Sequence, residues 1–173
     1  MESFLNKLKD ITTFIFDVDG VLTDGSVFVT DSGEQFKTFN IKDGYALQLA
    51  VKCGYHLCAI SGSRSKIPIH RLKNWGVQDV YVGAHKKADN FRSYLESKHV
   101  GPLSVMYMGD DITDLEAMKL AGLAVCPADA AEEIKAISQY ISPFPGGKGA
   151  VRDVIEKVLK VQGKWMNDQA YSW

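Results

Sequence analysis

The chain has 173 residues, a length that suits one domain with its own core, and its 46% apolar and 24% charged residues are the ordinary balance of a globular protein. A formal net charge of −1 argues against a nucleic-acid or anionic-membrane surface as the main partner, and no apolar run approaches the ~20 residues needed to cross a bilayer. Cys53, Cys58 and Cys126 are odd in number and scattered, with neither CxxC nor zinc spacing, so they read as reduced thiols of a cytoplasmic protein.

Met1 to Lys9 reads as a short helical lead-in without a signal-peptide core, with Phe4, Leu5 and Leu8 on one side. Ile11 to Asp17, dense in β-branched and aromatic residues, predicts the first strand. Residues 26–40 alternate apolar and polar around Asp31-Ser32-Gly33 and predict a β-hairpin. A helical pattern opens at Lys42-Asp43-Gly44 and stops at Gly54; Tyr55 to Ser61 follows as the second core strand. A helix from Lys66 or Pro68 to Trp75 precedes the strand Val80–Gly83, then a helix over Lys86 to Lys98. Ser104 to Gly109 is the next strand, then a helix over Asp114 to Leu120, a strand over Leu123 to Val125, a short helix over Ala130 to Ile137 and an extended piece at Tyr140–Ser142. A final helix runs from Ala150 to Gln162, ahead of a polar tail over residues 163–173. Strands alternating with helices predict an α/β fold, a Rossmann-like three-layer sandwich with a mostly parallel sheet, here in a single domain over residues 1–173.

Ligands of such sheets bind beyond the carboxyl ends of the strands, and the suspicious polar clusters all fall there. The first strand ends in Asp17-Val18-Asp19-Gly20; in extended backbone, residues i and i+2 point the same way, so the two carboxylates can face one site. Two like charges side by side call for a cation or a shared proton. Ser61-Gly62 closes the second strand and offers a hydroxyl and backbone N–H groups to phosphate oxygens. Lys87, with Lys86 in reserve, follows the third and adds positive charge. Gly109-Asp110-Asp111-Ile112-Thr113-Asp114 follows the fourth, and with the first pair supplies hard oxygen ligands of the kind Mg²⁺ prefers. His56, His70, His85 and His99 show no metal spacing.

A phosphate monoester assigns roles to this set. Asp17 is the nucleophile, forming an aspartyl phosphate; Asp19 protonates the leaving alkoxide and then serves as base for water. Ser61 and Lys87 hold the phosphoryl oxygens, Mg²⁺ shields Asp17 from the substrate's charge, and the Asp19 side chain stays off the metal.

These four motifs resemble those of the haloacid dehalogenase superfamily of phosphatases, and most closely its small capless group acting on 3-deoxy-D-manno-octulosonate 8-phosphate. The closer match is carried by Phe39-Asn40-Ile41-Lys42-Asp43-Gly44, Pro127-Ala128-Asp129-Ala130 and Gly146-Gly147-Lys148-Gly149-Ala150-Val151-Arg152, of which the Asn40–Gly44 and Gly146–Gly149 stretches are the group-specific part, and the likeness spans Ile11 to Trp165. It implies Mg²⁺ held by Asp17, the backbone carbonyl of Asp19 and Asp110, with Asp111 and Asp114 in support. It also implies substrate contacts from Lys42, Asp43, Gly44, Gly62, Arg64 and Lys148, and a role in lipopolysaccharide precursor synthesis. One departure is that Ser63 separates the Ser-Gly pair from Arg64, where the family often has Arg at once. With no cap domain, the resemblance implies a homotetramer in which hairpins pack together and a neighbour's C-terminal segment approaches the site. The alternatives are a phosphatase for nine-carbon sialic-type sugar acid phosphates, a receiver-like phosphoacceptor module, which needs no leaving-group acid at Asp19, and a dehalogenase, which needs neither Mg²⁺ nor the second aspartate.

Overall fold

The computed structural model describes residues 4–172; the lead-in residues Met1 to Ser3 and the terminal Trp173 lie outside them. The helices are α1 (Phe4–Leu8), α2 (Ile41–Lys52), α3 (Ile67–Asn74), α4 (Lys87–Lys98), α5 (Leu115–Leu120), α6 (Glu132–Ile137) and α7 (Ala150–Val161). The strands are β1 (Thr13–Phe16), β2 (Phe28–Val29), β3 (Gln35–Phe36), β4 (His56–Ile60), β5 (Asp79–Tyr81), β6 (Val105–Met108), β7 (Leu123–Cys126) and β8 (Tyr140–Ile141).

Six strands form one parallel sheet in the order β5-β4-β1-β6-β7-β8. The chain starts in the middle at β1, builds outward through β4 and β5, then crosses back to β6 and continues the other way. That reversal leaves a crevice at the carboxyl ends of β1 and its neighbours. The register keeps the edge level: Phe16 lies beside Ala59 on one side and Met108 on the other, so Asp17 and Gly109-Asp110 leave the sheet together.

Strand alternation divides the core into two layers. Phe14 and Phe16 face Leu47, Leu72, Val154 and Val158 on one side, where α1, α2, α3 and α7 pack. Ile15 and Tyr107 face Phe91, Tyr94, Met118 and Ile134 on the other, under α4, α5 and α6. A strand covered on both faces reads as a continuous apolar run, as β1 and β6 do. Helix α7 buries Ala150, Val151, Val154, Ile155, Val158 and Leu159 at helical spacing, while its outer face carries the i,i+4 pairs Asp153–Lys157 and Glu156–Lys160.

Two local expectations change. Leu5 is exposed: in α1 only Phe4 and Leu8, four apart, share the inward face, and Leu5 sits a quarter-turn away. The hairpin ladder shrinks to Phe28–Val29 against Gln35–Phe36, with all four residues exposed. A two-stranded ribbon with nothing packed on its outer face has little to hold a longer ladder together.

Candidate active site

The edge of the sheet assembles the site from loops that are far apart in the chain. Asp17, just past β1, is 5% exposed; its amide donates to the Met108 carbonyl (3.0 Å) and its Oδ1 accepts from Val18 N (2.6 Å). Lys87, the first residue of α4, stretches beneath the edge and is also buried. Its Nζ lies 2.8 Å from Asp17 Oδ2 and 2.8 Å from Asp114 Oδ1. The Tyr107 hydroxyl donates to the same Asp114 oxygen at 2.8 Å, and Asp110 N donates to Asp114 Oδ2 at 3.4 Å. Asp114 is therefore a buried organiser, with each oxygen occupied by protein donors.

Oxygens of Asp17, Asp110 and Asp114 lie within 4.8 Å of one another, and Asp110 Oδ1 is buried with no hydrogen-bond partner. Burial raises the Asp17 carboxyl well above the usual range, and the Asp114 charge adds to it against the opposing pull of Lys87. Burial and then Asp114 push Asp110 up to about 6. Burial by itself lowers the Lys87 ammonium, but the carboxylates of Asp17 and Asp114 outweigh it and hold the proton on. Burial and the neighbouring Asp114 raise the Tyr107 phenol well above its ordinary value, so it stays a donor. A single lysine among three carboxylates leaves excess negative charge in a water-poor pocket. An all-oxygen donor set with one unsatisfied buried oxygen fits a small, hard divalent cation such as Mg²⁺, which these carboxylates could hold.

The backbone is shaped for this approach. Gly20 has φ +88°, and a Cβ there would stand 2.0 Å from Asp110 Oδ2, so only glycine lets the first loop close over the fourth. The loop at Gly146-Gly147 packs on the same turn, with Gly147 N donating to the Val21 carbonyl at 2.9 Å.

The remaining predicted residues fall into three groups. Ser61 is 1% exposed just past β4; its Oγ accepts from Ser63 N (3.1 Å), which leaves its hydroxyl proton free to donate outward. Gly62 beside it is exposed. The Asp19 carboxylate is outside the three-carboxylate cluster and accepts instead from Lys37 Nζ at 2.6 Å. Asp111 is exposed and accepts from Ile112 N, capping the short 3-10 turn at Ile112–Asp114.

Of the predicted substrate contacts, Lys42 and Lys148 share one groove. Arg64 and Lys86 are exposed and make no ion pair among the described residues. Lys42 and Lys148 line an open groove of about 920 Å³ with Asn40, Ile41 and Phe144, and Lys148 pairs with Asp24 at 3.2 Å. Asp43 is 1% exposed, and its oxygens accept from Gly149 N (3.2 Å) and Arg152 N (2.7 Å), so it caps α7 from α2. Gly44 is buried where a Cβ would stand 2.1 Å from the Trp75 indole. Both take part in helix packing at these positions.

Two residues of the site carry little signal in the sequence. Tyr107 is one aromatic residue in an apolar strand. Lys37 shares the inward side of the hairpin arm with Phe39 by period-two alternation, a pattern that points to it only once the arm's inward side is known.

A profile of haloacid dehalogenase-like hydrolases matches residues 63–155. The chain is 36% identical over 160 residues to the 3-deoxy-D-manno-octulosonate 8-phosphate phosphatase KdsC of Salmonella typhi, covering 92% of this chain and 85% of that one. The structure of the Yersinia pestis 3-deoxy-D-manno-octulosonate 8-phosphate phosphatase superposes with a TM-score of 0.90 at 32% identity, over 92% of this chain and 86% of the other. The Moraxella catarrhalis enzyme of the same name, crystallised with magnesium ion, phosphate ion and KDO, gives a TM-score of 0.90 at 33% identity, over 93% and 92%.

Proposed function

The chain belongs to the haloacid dehalogenase-like hydrolases, within the group of 3-deoxy-D-manno-octulosonate 8-phosphate phosphatases, and from that premise we propose that it hydrolyses this sugar acid phosphate to the free acid and inorganic phosphate. The observation that carries the reading is the buried Asp17–Lys87–Asp114 arrangement, with Asp110 beside it and Asp19 two residues on, at the edge of the parallel sheet.

In the proposed reaction an Asp17 oxygen attacks phosphorus in line, and the bond from phosphorus to the sugar oxygen breaks as Asp19 gives that oxygen a proton. Water then attacks the phosphorus of the aspartyl phosphate, Asp19 takes its proton, and phosphate leaves with Asp17 restored. Lys87, fixed by Asp114 and Tyr107, keeps Asp17 oriented and favours its ionised form against the effect of burial. Ser61 and the Gly62 amide bind phosphoryl oxygens. Asp17, the Asp19 carbonyl and Asp110 would hold Mg²⁺, which when bound would supply positive charge that lets two anions meet; the Moraxella catarrhalis complex supports this choice of ion. Lys42, Arg64 and Lys148 are exposed cations of suitable sign for the sugar acid's carboxylate and hydroxyls.

The exposed Phe28, Val29 and Phe36 make the hairpin an apolar face. We take it as the surface through which copies of a single-domain chain pack into a homotetramer. Three free cysteines among the described residues fit a reducing cytoplasm, and the substrate places the activity in lipopolysaccharide precursor synthesis.

The test is a phosphate-release screen with octulosonate 8-phosphate and nonulosonate 9-phosphate side by side, with and without Mg²⁺. Preference for the eight-carbon ester and dependence on Mg²⁺ are expected. Equal turnover of the nine-carbon ester removes the assignment of substrate, and no release from either removes the assignment of activity.

A further inference from the structure

The Lys37 side chain is only 3% exposed, and its Nζ donates to Asp19 Oδ1 at 2.6 Å. It comes from the hairpin arm, eighteen residues downstream, while Asp19 stands in the loop between β1 and the φ +88° turn at Gly20. Nothing else among the described residues hydrogen-bonds the Asp19 carboxylate, and Asp19 is excluded from the cluster that binds Asp17 to Lys87 and Asp114. The direction this carboxylate faces is thus set by one residue.

We infer that Lys37 is a positioning residue for Asp19: it pins Oδ1 so that Oδ2 faces the departing oxygen of the substrate. The inference rests on the acid–base role proposed for Asp19. An aspartate in a loop has free side-chain torsions, and a proton-transfer group misplaced by 1 Å can lose about 10²-fold in rate. A desolvated ammonium with a single carboxylate partner is a directional tether, because leaving either charge unpaired there is costly.

The arm is built to present this lysine. Phe36 points outward and is 54% exposed, Lys37 turns inward, and Phe39 turns inward after it. The Phe39 ring meets Trp75 edge-on at 6.1 Å, and Trp75 can sit there because residue 44 is glycine. Asn40 then caps α2 by accepting from Lys42 N and Asp43 N, and its Nδ2 donates to the Gly147 carbonyl at 3.3 Å. The run Phe39 to Gly44 is accordingly the anchorage of the arm that carries Lys37, and the short ladder of the hairpin does not have to hold the lysine by itself.

The test uses substituted phenyl phosphates of one shape, from 4-nitrophenyl, whose phenolate leaves without a proton, to unsubstituted phenyl, whose phenolate needs one. The readout is kcat/KM, which reports steps up to the aspartyl phosphate. For Lys37→Met the expected loss is about 30-fold on phenyl phosphate and under about 3-fold on the 4-nitrophenyl ester, with Lys37→Arg recovering most of it. Asp19→Asn, the control for the underlying role, shows the same selectivity with a loss of about 10²-fold or more on phenyl phosphate. If Asp19→Asn is selective while Lys37→Met slows every ester equally, Lys37 is a structural contact and the inference is overturned. If Asp19→Asn is itself unselective, the acid role fails first and takes the inference with it.

Discussion

The Lys87 ammonium stands 2.8 Å from an Asp17 oxygen with both side chains buried, so the proposed nucleophile is held by a cation from a helix seventy residues later. A second carboxylate, Asp114, is at the same distance from that ammonium and fixes the lysine in turn.

Asp17→Asn should abolish phosphate release, with a loss of at least ~10³-fold, while the fold is kept, since the amide matches the carboxylate in size. Lys87→Met should lose activity and stability together. It leaves Asp17 and Asp114 buried without their cation, a change that costs about 3–5 kcal/mol in comparable pairs. Steady-state phosphate release and urea unfolding check both. An active Asp17→Asn enzyme ends the mechanism.

Gly20→Ala should weaken divalent-ion binding more than it weakens folding. The new methyl meets Asp110 Oδ2 at 2.0 Å, and the φ of +88° is strained for alanine by about 1–2 kcal/mol. Displacing Asp110 should reduce Mg²⁺ affinity at least ~10-fold by isothermal titration calorimetry. Unchanged affinity excludes Asp110 as a ligand.

Asp43 offers a test by pH. Burial raises its carboxyl above the ordinary value of 3.8, opposed by the amides of Arg152 and Gly149. A carboxyl raised in the folded state holds its proton better there than in the unfolded chain, so stability from this group falls as pH rises from the unfolded value through the folded one. Asp43→Asn keeps an acceptor oxygen but cannot titrate, so wild-type stability minus that of the variant should shrink as pH rises across that range. Asp43→Ala, which strips the cap from α7, should cost about 2 kcal/mol at low pH, and this cost too should shrink as pH rises, since alanine cannot titrate either. Urea midpoints measured across the acid range decide it, and a difference that grows with pH reverses the assignment.

The hairpin face should govern assembly. Phe28→Ser combined with Phe36→Ser removes two exposed rings, 62% and 54% accessible, that support little of the chain's own core. The variant should sediment as a smaller species with its thermal unfolding intact. If the wild type is already a monomer, the hairpin has no such role.

Much of this protein was legible from residue order. The alternation of strand and helix, the ends of β1 and β6 in carboxylates and the strand-end placement of Ser61 and Lys87 are local facts, because strand polarity and turn chemistry are written within a few residues. So was the kinship of its motifs, and with it the fold. Tertiary structure alone decided what each side chain meets. Whether Lys87 reaches Asp17, which oxygen Tyr107 binds and that Lys37 turns in to Asp19 depend on crossovers of tens of residues, and no spacing records a contact between loops brought together by sheet order. Asp43 and Gly44 make the same point. An acid next to a glycine at a helix start looks like a binding loop in one dimension, whereas in three dimensions α7 and Trp75 pack against them.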